Sequence, residues 1–159
     1  MGCCYRDGVH GYPQDCTKAL ELWHRAGELG DAKAYANIGS AYYSGGGVEV
    51  DKEKAKHYYE LAAMRGEATA RHNLGSLEYN LGIKEDDAAN IHRALKHYMI
   101  AARSGHSKSL EAVKDMYSNG DATKEDYTKG LHSYQAYLGE IKSTQRDKAA
   151  AAREDYCYY

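Results

Sequence analysis

The sequence predicts an all-α protein: a right-handed α-solenoid of about four helix-turn-helix repeats, the first truncated and the last degenerate, with a long C-terminal capping helix. Three observations lead there. The segments DKEKAKHYYELAAMRG (51–66) and NIHRALKHYMIAARSG (90–105) repeat one phrase. Residues suited to start a helix recur at Asp15, Asp51, Asn90 and Asp126, separated by 36, 39 and 36 positions. A second motif, NIGSAYYSGGGV (37–48), returns upstream of the next copy as NLGSLEYNLG (73–82). A period near 36 with two helices per unit marks stacked helix pairs, since one pair alone cannot bury its apolar face.

In chain order, GCCYRDG (2–8) reads as a first helix A, with Gly2, Tyr5 and a closing Gly8. It begins inside its motif, so the chain reads as N-terminally cut. The first helix B opens at Asp15 and carries Lys18, Ala19 and Trp23. Side chains of Asp or Asn accept hydrogen bonds from the free N–H groups of a first turn. A small residue and an aromatic four apart share one face: the small one admits a neighbour and the ring covers it. The second pair supplies Gly39, Tyr42 and Gly45, then Asp51, Lys54, Ala55 and Tyr59. The third supplies Gly75, then Asn90, Arg93, Ala94 and Tyr98, with the polar stretch GIKEDDAAN (82–90) expected as a loop carrying the extra residues. The fourth is degraded, with Lys114 for the helix A glycine and Gly130 for the helix B alanine, although Gly120 still ends helix A and Asp126, Lys129 and Tyr134 keep the register. Residues 124–156 contain no Pro, and KAAAARE has high helix propensity, so either one long helix or a helix B plus a cap is expected. The implied borders are 1–30, 31–66, 67–105, 106–142 and a tail at 143–159.

Composition narrows the function classes. Leu, Ile and Val total 20 and Phe is absent, while Tyr numbers 16, so the core must be built from small residues with tyrosine filling the remaining space. A net charge of −2 offers no basic surface for nucleic acid. No apolar run approaches the ~20 residues of a membrane span, and Arg6 breaks the myristoylation pattern that Met-Gly-Cys-Cys suggests. Cys3, Cys4, Cys16 and Cys157 lie at the chain ends, which favours reduced thiols and a cytoplasmic, reducing compartment. A bridge from Cys3 or Cys4 to Cys16 stays open.

Chemistry is sparse. His92 and His97 are five apart, on different helix faces, and neither His-Glu-x-x-His nor Cys-x-x-Cys occurs, so no metal and no cofactor are expected. His57 and His132 share a register position on exposed B faces, while His72 falls on helix A. Cys16 has no neighbouring base, and SGGGV (44–48) lacks the ending of a phosphate loop, so no enzyme is expected. On helix A, Ala34, Ile38 and Tyr42 form a buried stripe, as do Ala70, Leu74 and Glu78. The opposite face carries Ala36, Ser40 and Tyr43 in one copy and His72, Ser76 and Tyr79 in the next, flanked by Tyr35 and Arg71. Tyr35, Ser40, Tyr43, Arg71, His72, Ser76 and Tyr79 are therefore the expected partner-binding residues of a concave face.

Residues 37–66 resemble the Sel-1-like repeat, a relative of the tetratricopeptide repeat, through Ile38-Gly39, Tyr42, Gly45, Gly47-Val48, Asp51, Lys54-Ala55, Tyr59, Ala62-Ala63 and Gly66. The likeness covers roughly 2–142, with Glu78 departing where a Tyr is usual. KALELWHRAGELG, ARHNLG and EIKSTQRD are similar in wording to diatom members. The resemblance implies a non-catalytic scaffold or adaptor holding a protein or peptide. One alternative it brings is β-lactam binding or hydrolysis, as in cysteine-rich bacterial relatives with a cysteine pair per repeat, whereas residues 17–156 here hold no Cys. Another is a structural array self-associating through its N-terminal repeat face.

Overall fold

The computed structural model describes residues 15–156. The first helix A motif, the Cys3 and Cys4 pairing and all but Tyr156 of the final YCYY fall outside them. Seven helices and no strand occur among the described residues: α1 (Cys16–Glu28), α2 (Ala32–Ser44), α3 (Lys52–Met64), α4 (Ala68–Glu85), α5 (Ala88–Arg103), α6 (Ser107–Asn119) and α7 (Lys124–Tyr156). None is long and apolar enough to cross a membrane.

Helix starts follow local hydrogen bonding. Asp15 accepts from the Lys18 N–H and Asp51 from the Lys54 N–H, both at 2.9 Å. Each such cap contributes about 1 kcal/mol. The Lys54 N–H is also the main reason why the Asp51 carboxyl sits below its usual value. The other two predicted starts are corrected. Helix α5 begins before Asn90, because Asp87 accepts from the Ala89 N–H at 2.8 Å and from the Asn90 amide at 2.7 Å. Helix α7 begins before Asp126, because Thr123 takes the cap: its hydroxyl accepts from the Asp126 N–H at 3.1 Å while Asp126 accepts from the Thr123 N–H at 3.0 Å. This is a capping box with Asp in the position usually held by Glu.

The loop expected over 82–90 is also corrected. Helix α4 continues to Glu85, and Asp86, at φ 52°, ends it in the left-handed conformation that short polar side chains tolerate. Only Asp86 and Asp87 lie between α4 and α5. The extra residues thus add helix rather than loop, making α4 18 residues long against 13 for α2. At the C-terminus, α7 is one continuous helix of 33 residues, the first of the two forms expected.

The chain forms two compact units that divide between His97 and Tyr98, within α5. In the first unit the register positions meet as small against large. Ala19, Ala55 and Ala94 are fully buried, and Trp23 and Tyr59 nearly so. Gly39 of α2 lies under the Tyr59 ring of α3: a Cβ there would stand 2.6 Å from the ring and 3.1 Å from the Ala55 carbonyl oxygen. The Tyr59 hydroxyl donates to Ser40 Oγ at 3.1 Å, and Ser40 donates to the Ala36 carbonyl at 3.0 Å, so the buried ring leaves no unpaired polar end. Ala36, assigned by sequence to the outward face, is instead buried in the same core as Tyr59 and Leu74. Helix α2 packs against α1, α3 and α4, so it buries more than one stripe.

Outside that core, Tyr58 stacks between Tyr35 and Tyr42 at centroid distances of 6.1 and 5.8 Å. Arg65 lies over Tyr35 and Lys54 over Tyr42. Tyr42, read from the sequence as core, is thus half-buried in an aromatic row. In the second unit α6 packs on α7, with Val113, Met116 and Ser109 buried and Tyr117 stacked on Tyr127 at 5.9 Å.

Two glycine substitutions should act in opposite directions. Gly39→Ala is expected to lower stability by about 1–3 kcal/mol through overpacking. In Gly130→Ala the new Cβ meets only Leu110 and Val113, at 3.7 and 3.8 Å, so removing a helical glycine should stabilise by about 0.5–1 kcal/mol. Urea denaturation of the two variants beside the parent checks both signs.

Candidate functional site

The structure divides the seven residues that the sequence nominates. Tyr35 is committed to packing: its ring lies on Gly27, where a Cβ would be 2.7 Å away, and stacks on Tyr58. Ser40 is committed to the Tyr59 hydroxyl. Ser76 donates to the His72 carbonyl within its own helix at 3.2 Å. Tyr43 is exposed at 40%, while His72 and Tyr79 are half-buried. By helical spacing His72, Ser76 and Tyr79 share a face of α4, as Ser40 and Tyr43 share one of α2. Asn73 joins the two helices, because its side chain and that of Ser40 both hydrogen-bond Tyr59, whose proton is held tightly by burial. The repeated Asn37 and Asn73 of the two NxG motifs were the available sequence signal for that residue.

Arg71 turns elsewhere. Its guanidinium donates to the Ala63 carbonyl at 2.9 Å, near the end of α3. It borders a cleft of about 300 Å³ whose apolar lining comes from Leu61, Ala63, Met64 and Leu74. His57, Glu60 and His97 complete the rim.

Behind that cleft lies a polar cluster whose partners the sequence did not show. Glu78 is 5% exposed and stands 3.5 Å from Arg93 Nε and 3.5 Å from His97 Nε2. Glu78 Oε2 and His97 Nδ1 are buried without a hydrogen-bond partner among the described residues. Burial is the largest influence on His97 and lowers its pKa below 6.5, outweighing the attraction of Glu78, while Arg71 and Lys56 push it further down. His97 is therefore neutral near pH 7, and Arg93 is the cation that offsets Glu78. No group of three or more potential metal-ligating side chains occurs among the described residues.

Successive short helices, four of them 13 residues long, joined by tight turns and packed small against aromatic, define a helical-repeat protein of the α-solenoid class. The Sel1 repeat model matches residues 1–31, 32–67, 68–106 and 112–136, and the chain belongs to the Sel1 repeat family. Among solved structures, a Sel1 repeat protein from Oxalobacter formigenes is 28% identical and superposes with a TM-score of 0.66 over 91% of this chain and 56% of that one. The chain thus spans little more than half the length of that relative. A protective antigen of uropathogenic Escherichia coli with an SLR fold is 21% identical, with a TM-score of 0.48 over 87% of this chain and 37% of that one. No curated protein matches the chain.

His97 gives a sign to the pH dependence. Its folded pKa lies below the unfolded 6.5, so below that pH the unfolded chain binds a proton that the folded chain resists. Its contribution to stability should fall as pH drops through about 6.5 and level off beneath the folded pKa. His97→Gln should remove that component, read as the difference between variant and parent urea midpoints from pH 8 to pH 5. Equal slopes for both proteins would contradict the assignment.

Proposed function

We propose that this protein is a non-catalytic interaction scaffold that holds a protein or peptide on the helix A faces of α2 and α4. Membership of a repeat family that typically serves protein–protein interaction supports the class of function. The observation that carries the surface is a polar and aromatic pair that recurs on two copies of one helix. The packing positions Ala34, Ile38, Ala70 and Leu74 are buried and apolar in both. On the other side a serine and a tyrosine recur 36 positions apart, Ser40 and Tyr43 in α2 and Ser76 and Tyr79 in α4, none of them fully buried, and α4 adds half-buried His72 where α2 has the buried Ala36. Tyrosine on a rigid helix offers a large amphipathic contact at low ordering cost, which suits an anchor residue. The binding residues are accordingly Tyr43, His72, Ser76 and Tyr79, with Ser40 and Asn73 setting the spacing between the helices, and Tyr35 and Arg71 serving packing and the neighbouring cleft.

The test is affinity capture followed by quantitative mass spectrometry, comparing the parent, a Tyr43→Ala/Tyr79→Ala variant and a Leu29→Ala variant whose residue is 89% exposed just past the end of α1. Losing two anchors should cost about 2 kcal/mol or more, a drop in specific partners of at least about tenfold. Leu29→Ala should leave the set intact. Equal recovery by the parent and the double variant, with equal circular dichroism, would refute this surface.

A further inference from the structure

The cleft beside Arg71 lies apart from the Tyr43 and Tyr79 faces and is a candidate site in its own right. Its volume, about 300 Å³, is at the small end of the range for ligand sites. Arg71 is half-buried there, and its orientation is set by the bond to Ala63. No carboxylate pairs with it among the described residues: Glu60 lines the same cleft but makes no ion pair, and Glu78 is engaged with Arg93. A guanidinium half withdrawn from water, pre-oriented and without a counter-anion, favours an anion. Leu61, Met64 and Leu74 next to it favour hydrocarbon, and Met64, 75% exposed, is a flexible lip that can fold over a guest. Neutral His97 adds no second charge.

We propose that this cleft binds an aliphatic carboxylate, with a chain of about four to six carbons against Leu61, Met64 and Leu74 and the carboxylate on Arg71. Free short-chain acids and the carboxyl-terminal residue of a peptide share that chemistry. The inference does not rest on the scaffold reading, since none of the residues mutated in that test lines the cleft.

Methyl-detected NMR titration of the full chain tests it with four probes: sodium hexanoate, hexanol, N-acetyl-leucine and N-acetyl-leucinamide. Hexanoate should shift the Leu61, Met64 and Leu74 methyls saturably with a Kd of about 1–10 mM, in line with a ligand of so few atoms. Hexanol should bind at least about tenfold more weakly, the loss of one charge-assisted contact. Binding of N-acetyl-leucine but not its amide would assign the site to chain ends, and binding of hexanoate alone would assign it to free acids; both support the proposal. In Arg71→Gln the preference for hexanoate should vanish while hexanol still binds, showing an intact cleft. If that variant does not fold, the hexanoate-to-hexanol ratio in the parent decides. Equal affinities for the two, or no saturable shift at about 50 mM hexanoate, would overturn the proposal.

Discussion

The close approach of a tyrosine ring to a bare stretch of helix backbone carries the rest of this structure. Tyr59 can lie flat on α2 because Gly39 has no side chain, and α3 can come near enough because Ala55 is small. A chain with 20 branched aliphatics in 159 residues and no phenylalanine has little other bulk with which to fill a core. Tyrosine brings area but also a hydroxyl, and burying that group unpaired would offset much of the gain. Ser40 and Asn73 supply its partners. The same two residues thereby tie α2 to α4, so one ring organises both the contact within a repeat and the contact between repeats.

Where the third copy abandons tyrosine, the core changes character. Glu78 occupies the stripe beneath α5 and is held by Arg93, with neutral His97 beside it. A buried carboxylate matched by one half-exposed guanidinium is a modest source of stability, because desolvation opposes the attraction. It is a stronger source of selectivity: any sliding of α5 along α4 strands the carboxylate.

Features governed by near neighbours were readable in the sequence. Asp15 and Asp51 cap their helices as their spacing suggests, and the glycines at 45 and 120 end theirs with positive φ. Asn90 and Asp126 keep the repeat register but do not start their helices, because Asp87 and Thr123, a few residues earlier, take the caps. The buried stripe including Glu78 was legible from its spacing of four; its partners, 15 and 19 positions away on another helix, were not. Ala36 was misplaced because a helix packed on several sides buries more than the single stripe that periodicity reveals. Of the candidate binding residues, Tyr35 and Ser40 proved to be occupied inside the fold, and the cleft near Arg71 had no signature at all. A void bounded by three helices belongs to no contiguous run of residues.

The junctions between successive copies are not alike. Where the end of α1 offers Gly27, the next helix lays Tyr35 on it; at the matching place, 36 residues on, Ala63 replaces the glycine and Arg71 reaches its carbonyl instead. Swapping the neighbours would drive a ring into a methyl group at one joint and leave a hollow at the other. The modules are therefore keyed to their order, like notched rather than uniform bricks. Unequal crossing-over in the gene, which readily lengthens or shortens arrays of identical units, would here produce misfitting seams and be selected against.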